Sequence, residues 1–312
     1  MALLTLCRFI EFSGLLTLVS VGIARIGRGC VARILVLLEM IFVPIAALFM
    51  NDTAVAISVP LGVALAKHIG IEIERIVALL AIDANVGSML SPVGSPQNVI
   101  ISTRFGIPLH VFVASMAIPT LALLALLVLY TYLLMPRRCV ELPPPPPVAL
   151  DRSLAIASIV CFAATLTLHL HHLSFLGLAL AMSIPAILAK PRLYKLLDYE
   201  LYAIFILMFL DFQTLSSILT PPPIDVAILA IALSQVVSNV PATLLLVDHA
   251  HSWLLFTVAV NLGGVPTAIS SVANLVAMRL SGSKTLRFHL YTTIFFLAAL
   301  PIAMAVAYAV HR

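Results

Sequence analysis

Apolar stretches as long as a bilayer is thick recur from one end of this sequence to the other. They limit the fold more than any motif does. Leu3–Ala24, Leu109–Met135 and Leu286–Val310 each supply the roughly 20 residues that a crossing helix needs. Hydrophobic residues make up 62% of the 312 positions and charged residues 10%, against about 25% charged in a soluble domain. These proportions exclude a soluble enzyme, a nucleic-acid module and a disordered chain. An outer-membrane barrel is excluded too, because its strands would alternate apolar and polar residues. The expected fold class is an all-α polytopic membrane protein.

The segments divide the chain in two. Residues 1–135 hold Leu3–Ala24, Ile34–Met50, Ala54–Ala66, a stretch from Ile76 to Phe105 that is broken in its middle, and Leu109–Met135. Residues 136–152 form a linker, since the Pro143–Pro147 run cannot be helical and reads as a stiff polyproline spacer. Residues 153–312 hold two spans ending near His172 and Ala189, another over Leu201–Leu219, then Val226–Val237, a broken stretch Trp253–Leu280, and Leu286–Val310. Ile34–Met50 and Val226–Val237 read as too short to cross. Each runs into an asparagine-containing tip, at 51–53 and at 238–241, and a further apolar stretch follows. That pattern predicts two re-entrant hairpins, whose non-helical tips are tolerated at membrane depth only where protein or water surrounds them.

Charge tests this topology. If the first segment runs outside to inside and each hairpin returns to its own side, 14 of the 17 basic residues fall inside. Arg104 and Arg312 fall outside, and Arg8 lies near the outer end of the first span. So lopsided a split is a strong positive-inside signal and predicts about eight spanning helices with the proline-rich linker in the cytoplasm. The net charge of +4 therefore reports topology and not an acidic partner; no nucleic acid is expected. Cys7, Cys30, Cys139 and Cys161 show no metal-ligand spacing, and neither a structural metal nor a disulfide framework is expected. A cleaved signal peptide is not expected either, because Arg8 and Glu11 interrupt the first apolar run.

The two halves repeat one another. Phe9-Ile10-Glu11-Phe12 recurs as Phe209-Leu210-Asp211-Phe212, and Asn51-Asp52-Thr53-Ala54 matches Asn239-Val240-Pro241-Ala242. The broken stretches match best. Asn85 to Asn98 spans 13 positions, as does Asn261 to Asn274, with Gly87 aligned to Gly263, Ser91 to Thr267 and Ser95 to Ser271. In the predicted topology the copies run in opposite directions. An inverted repeat with paired broken helices points to a secondary transporter with its site near the bilayer midplane. Unwound carbonyls there can hold a cation, and helix N-terminal amides can hold an anion.

Asn51-Asp52-Thr53-Ala54-Val55, Asp83-Ala84-Asn85-Val86-Gly87-Ser88 and Pro92-Val93-Gly94-Ser95-Pro96-Gln97-Asn98 resemble the ion transporter superfamily. Ser238-Asn239-Val240-Pro241-Ala242 and Val260-Asn261-Leu262-Gly263-Gly264 through Asn274 resemble its second half. The branch is that of the arsenite permeases and sodium–proton antiporters, with citrate-transporter-like members nearby. The resemblance implies an elevator-like carrier, often a homodimer, with both hairpin tips and both broken helices around one site. Two spans precede the Phe209 segment and none precedes Phe9, which makes the first half short by about two or three spans for this family. A misplaced start codon and a compact variant are the two explanations. The tips Met50-Asn51-Asp52-Thr53 and Ser238-Asn239-Val240 differ from the Ser-Asn-Thr of the dicarboxylate branch, and the resemblance leaves the substrate open.

The candidate substrate- or cation-binding residues are Asn51, Asp52, Thr53, Asp83, Asn85, Gly94, Ser95, Asn98, Ser238, Asn239, Asn261, Gly263, Thr267, Ser270, Ser271 and Asn274. Asp52 either binds a cation or proton or caps a helix; an acid at membrane depth is costly and usually functional. Asp83 is either a proton or sodium coupling residue or a structural tether, and the repeat puts Ala259 in its place. Glu11 and Asp211, equivalent in the two halves, are expected to support the hairpins. Glu39 sits in the first hairpin arm, where it could face a water path. His169, His171, His172, His249 and His251 read as interfacial polar residues.

The expected function is a secondary active transporter, not an enzyme. It would move an inorganic anion or small organic acid, of the arsenite or citrate kind, by alternating access. Coupling is to protons or sodium, with no other cofactor. The alternative is a sodium–proton antiporter using Asp52 and Asp83. The expected location is the cell membrane.

Overall fold

The computed structural model describes residues 5–6, 9–10, 12–136, 139, 150–170, 174–188, 190–196, 199, 203 and 225–311. All the regular elements among them are helical. They are α1 (Leu15–Ile26), α2 (Val31–Phe49), α3 (Asn51–Ile69), α4 (Ile73–Ser88), a 3-10 turn (Pro92–Gly94), α5 (Pro96–Arg104) and α6 (Leu109–Leu134). After the linker come α7 (Arg152–Leu170), α8 (Ser174–Ile187) and a 3-10 turn (Pro191–Leu196). The chain ends with α9 (Val226–Val237), α10 (Asn239–Leu246), a 3-10 turn (Val247–His249), α11 (Trp253–Gly263), α12 (Val272–Ser281) and α13 (Thr285–His311). The expected Leu201–Leu219 span, the Pro143–Pro147 run, Glu11, Asp211, Cys7, His171 and His172 lie outside the described residues.

Three described helices are long and apolar enough to cross a membrane, over Val31–Leu48, Leu109–Leu134 and Thr285–Val310. The first corrects the reading of Ile34–Met50 as too short. The helix begins at Val31 and carries Arg33 within its first turn, so residues assigned to a basic loop extend the arm. α9, at 12 residues, is as short as its sequence suggested. α6, at 26 residues, is about 39 Å long, enough for a hydrocarbon core of about 30 Å.

α4 is the hub. Every residue from Ile76 to Ser88 is buried, and the helix packs against α2, α3, α6, α12 and α13. A helix buried on all sides lies inside a bundle, and the main apolar core forms about it, with Leu35, Leu38, Val59, Leu80, Phe112 and Phe295 among its members. α6 and α13 expose one side, where Leu121, Leu129, Leu133, Leu290 and Leu297 point outward. Such an apolar outer surface suits lipid, not water. A disulfide joins Cys30 to Cys139, 109 positions apart, and corrects the expectation of none. Sequence spacing carries no trace of this pair, because the fold alone brings the α1–α2 turn to the segment after α6.

Candidate functional site

Each of two sharp turns consists of a single residue. α2 ends at Phe49 and α3 starts at Asn51; α9 ends at Val237 and α10 starts at Asn239. The residues between are Met50, at φ 71° and ψ 144°, and Ser238, at φ 77° and ψ 156°. Both stand in a backbone region that is essentially glycine's own, at a cost on the order of 1–3 kcal/mol each. The reversal brings the helix that follows each turn back against the one before it.

Two breaks face these turns. Between α4 and α5 the chain unwinds over residues 89–95, and between α11 and α12 over residues 264–271. An asparagine closes each gap. Asn98 donates from Nδ2 to the carbonyls of Ser88 and Ser91, both at 3.0 Å. Asn274 donates from Nδ2 to the carbonyls of Gly264, Val265 and Thr267, at 3.0, 3.1 and 2.7 Å. Carbonyls freed by unwinding are thereby satisfied without water, as a buried backbone requires. Gly94 lets the first break fold tightly, since a Cβ there would lie 2.2 Å from the Ser88 carbonyl oxygen.

The breaks are cross-linked by a second pair of asparagines. Asn85 donates to Ala81 O and to Asn274 Oδ1, both at 2.9 Å. Asn261 donates to Thr257 O at 2.8 Å and to Asn98 Oδ1 at 2.7 Å. Each asparagine before a break thus holds the asparagine beyond the other break. Asn85 Oδ1 accepts from Asn51 Nδ2 and from Ser271 Oγ, both at 3.3 Å. The Asn239 backbone N–H donates to Ser270 O at 2.8 Å, and Ser91 Oγ donates to Ala47 O. A continuous hydrogen-bonded chain therefore joins both turns to both breaks.

The structure brings together Asn51, Asn85, Asn98, Ser238, Asn239, Asn261, Ser270, Ser271 and Asn274, all buried. Thr53 and Ser95 are buried at the starts of α3 and α5, and Gly263 ends α11 under the second turn. Thr267, half-buried, exchanges hydrogen bonds with Ser270. Asp52 is half-buried beside Asn51, and its carboxylate makes no hydrogen bond among the described residues. Asp83 is fully buried but is not part of this chain, because two residues along a helix turn it away from Asn85.

Two glutamines belong to the network and were missed. Gln97 Nε2 donates to Asn261 Oδ1 at 3.1 Å, and Gln235 Nε2 donates to Gly263 O at 2.7 Å. Matching the halves passes over Gln97, because Ala273 stands in its place. Three buried polar atoms near this network have no partner among the described residues: Ser95 Oγ, Gln97 Oε1 and Asn239 Nδ2. Asn239 Nδ2 lies against Gly264, where a Cβ would come within 2.4 Å of it.

Helix starts carry free N–H groups and the positive end of the helix dipole. The starts of α3, α5, α10 and α12 all meet at this one network, through Asn51, Gln97 and Asn98, Asn239 and Ser271. Known proteins give this arrangement its context. The sequence profile of the citrate transporter family matches residues 1–254. The chain belongs to the citrate transporter family. It is 30% identical over 311 residues to the inner membrane protein YbiR of Escherichia coli strain K12, across 93% of this chain and 81% of the relative. It is 28% identical over 267 residues to the uncharacterized transporter MJ0456 of Methanocaldococcus jannaschii, across 81% of this chain and 72% of the relative. As a member of the citrate transporter family it is a membrane transporter and not an enzyme. Its apolar helices and an inner-membrane homologue make it an integral membrane protein.

Proposed function

We propose that this chain is a secondary active transporter that carries a small organic acid or inorganic anion, of the citrate or arsenite kind, across the cell membrane by alternating access. The observation that carries this reading is the convergence of four helix starts on one buried network with three unpartnered polar atoms, Ser95 Oγ, Gln97 Oε1 and Asn239 Nδ2. Helix N-termini favour a negatively charged guest, and an unpartnered buried amide or hydroxyl is costly until a guest pairs with it.

The α2–α3 and α9–α10 pairs act as hairpins and α4–α5 and α11–α12 as broken helices in an inverted repeat. The matching asparagine contacts and the two matching strained turns support that symmetry. The site residues are those of the network, with Asp52 at its edge. α6 and α13 form part of the scaffold against which the hairpin and broken-helix unit moves, and the carrier works as a homodimer. Coupling is to protons or sodium. A sodium–proton antiporter, with Asp52 and Asp83 as its ion site, is the second reading, and the unpartnered Asp83 carboxylate favours it.

The test is thermal unfolding of the purified protein with sodium, citrate, succinate, arsenite, sulfate and phosphate. A ligand at 100 times its dissociation constant should add about 2.7 kcal/mol. Stabilisation by one of the anions, lost in Asn85→Ala, supports the anion carrier. Stabilisation by sodium alone contradicts it and favours the antiporter.

A further inference from the structure

The largest unused polar feature lies on the far side of α4 from the asparagine network. Asp83 is fully buried and neither of its carboxylate oxygens has a hydrogen-bond partner among the described residues. Glu39 of α2 is buried as well. Its Oε1 accepts a hydrogen bond from Thr131 Oγ1 of α6, and its Oε2 has no partner among the described residues.

The packing of α2 on α4 sets the two acids side by side. A Cβ on Gly87 would lie 3.0 Å from Val43 Cα, and Ser91 bonds to Ala47, so the two helices run in the same direction in register. One turn back from Gly87 is Asp83, and one turn back from Val43 is Glu39. The elements packed on α4 bring other titratable groups: Arg33 on α2, Asp52 and Lys67 on α3, His110, Tyr130 and Tyr132 on α6, Arg279 on α12, and Arg287, His289, Tyr291 and Tyr308 on α13.

We propose that Glu39 and Asp83 form a proton-binding site, separate from the substrate network, and that Thr131 positions it. Two carboxylates this deep, with three unpaired oxygens and no cationic side chain paired with them among the described residues, cannot both stay ionised; a proton on one of them removes the net repulsion. Asp83 stands ten positions into α4, about 15 Å from its start, close to the bilayer midplane. Thr131 stands three positions from the end of α6, so the Glu39 carboxyl bonded to it reaches toward the side from which the linker leaves. A proton arriving from that side meets Glu39 first. The unit that holds α2 and α4 moves along α6 when the pair is protonated and is held when it is ionised. This last role rests on the carrier reading above; the proton site itself does not.

The test therefore needs no substrate. Full-length protein in liposomes is studied by infrared difference spectroscopy from about pH 6 to about pH 9, in sodium and in choline buffers. Reaction with dicyclohexylcarbodiimide, which modifies protonated carboxyls in apolar surroundings, is mapped by mass spectrometry in parallel. The expected result is a protonated-carboxyl stretching band at neutral pH that is lost in alkali, loses amplitude in Asp83→Asn and shifts in Glu39→Gln. Thr131→Val displaces the pH at which the band is lost. Carbodiimide modifies Asp83 or Glu39, less at alkaline pH and equally in both buffers. A band unchanged in both acid variants overturns the proposal, as does protection of the two acids by sodium. If Asp83→Asn does not fold, Glu39→Gln and wild-type labelling decide the question.

Discussion

Met50 and Ser238 hold backbone angles that only glycine adopts without strain, and each sits between a helix and the asparagine that opens the next. Strain of this kind persists only where its surroundings over-determine it. Replacing either residue by glycine should relieve it and raise stability by about 1 kcal/mol after the entropic cost of glycine. Thermal unfolding of Met50→Gly and Ser238→Gly checks this, and a fall in both melting temperatures would contradict it. The network asparagines should respond in the opposite sense. Asn274→Ala leaves three carbonyls of the second break without their donor, and should cost about 1–3 kcal/mol for each that finds no replacement. Asn274→Asp keeps the shape and loses the donors, so it should be no milder.

The breaks were legible because a helix cannot continue through Pro-Val-Gly-Ser-Pro, and the turns because Asn-Asp-Thr and Ser-Asn favour a helix start; the tips read at 51–53 and 238–241 lie at Met50 and Ser238 alone, with Asn51-Asp52-Thr53 and Asn239-Val240-Pro241 already helical. Helix limits at Ser88, Pro96, Gly263 and Val272 fall inside the stretches read as broken. The first arm was misjudged by three residues because Arg33 is charged, yet it sits within the first turn of α2, where its long side chain can reach out of the membrane. Asp83 was grouped with Asn85 by nearness in sequence, whereas helix geometry turns the two to different neighbours. The Cys30–Cys139 bond and the meeting of Glu39 with Thr131 depend on tertiary packing and leave no local pattern. At the entry to α4, Glu72 pairs with Arg75 at 2.8 Å and with Arg287 of α13. Burial pushes the Glu72 carboxyl up, but hydrogen bonds from Arg287 and Arg75 outweigh it and leave it below its ordinary value. A carboxyl lowered on folding stabilises above its unfolded value, near pH 4.5, and that contribution fades as pH falls through the folded value. The melting temperatures of wild type and Glu72→Gln should therefore differ at neutral pH and converge in acid. Solvent exposure keeps the neutral-pH difference to about 1 kcal/mol or less, and a gap that widened on acidification would contradict this assignment.

The molecule as a whole places two polar systems back to back on one buried helix. The asparagine network faces α3, α12 and the second turn, and the acid pair faces α2 and α6. A carrier needs such a connection, because coupling means that each guest alters the other's affinity or the permitted transitions. The central claim is that the network binds an anion alternately from the two sides. Counterflow tests it most directly: proteoliposomes are loaded with unlabelled citrate, succinate, arsenite, sulfate or phosphate, diluted into trace labelled anion of the same kind, and followed in time. The account predicts that at least one labelled anion accumulates transiently above its equilibrium level, and that Asn85→Ala and Asn261→Ala abolish this in protein that still reaches the membrane. A labelled flux that rises linearly with concentration and never overshoots would contradict alternating access.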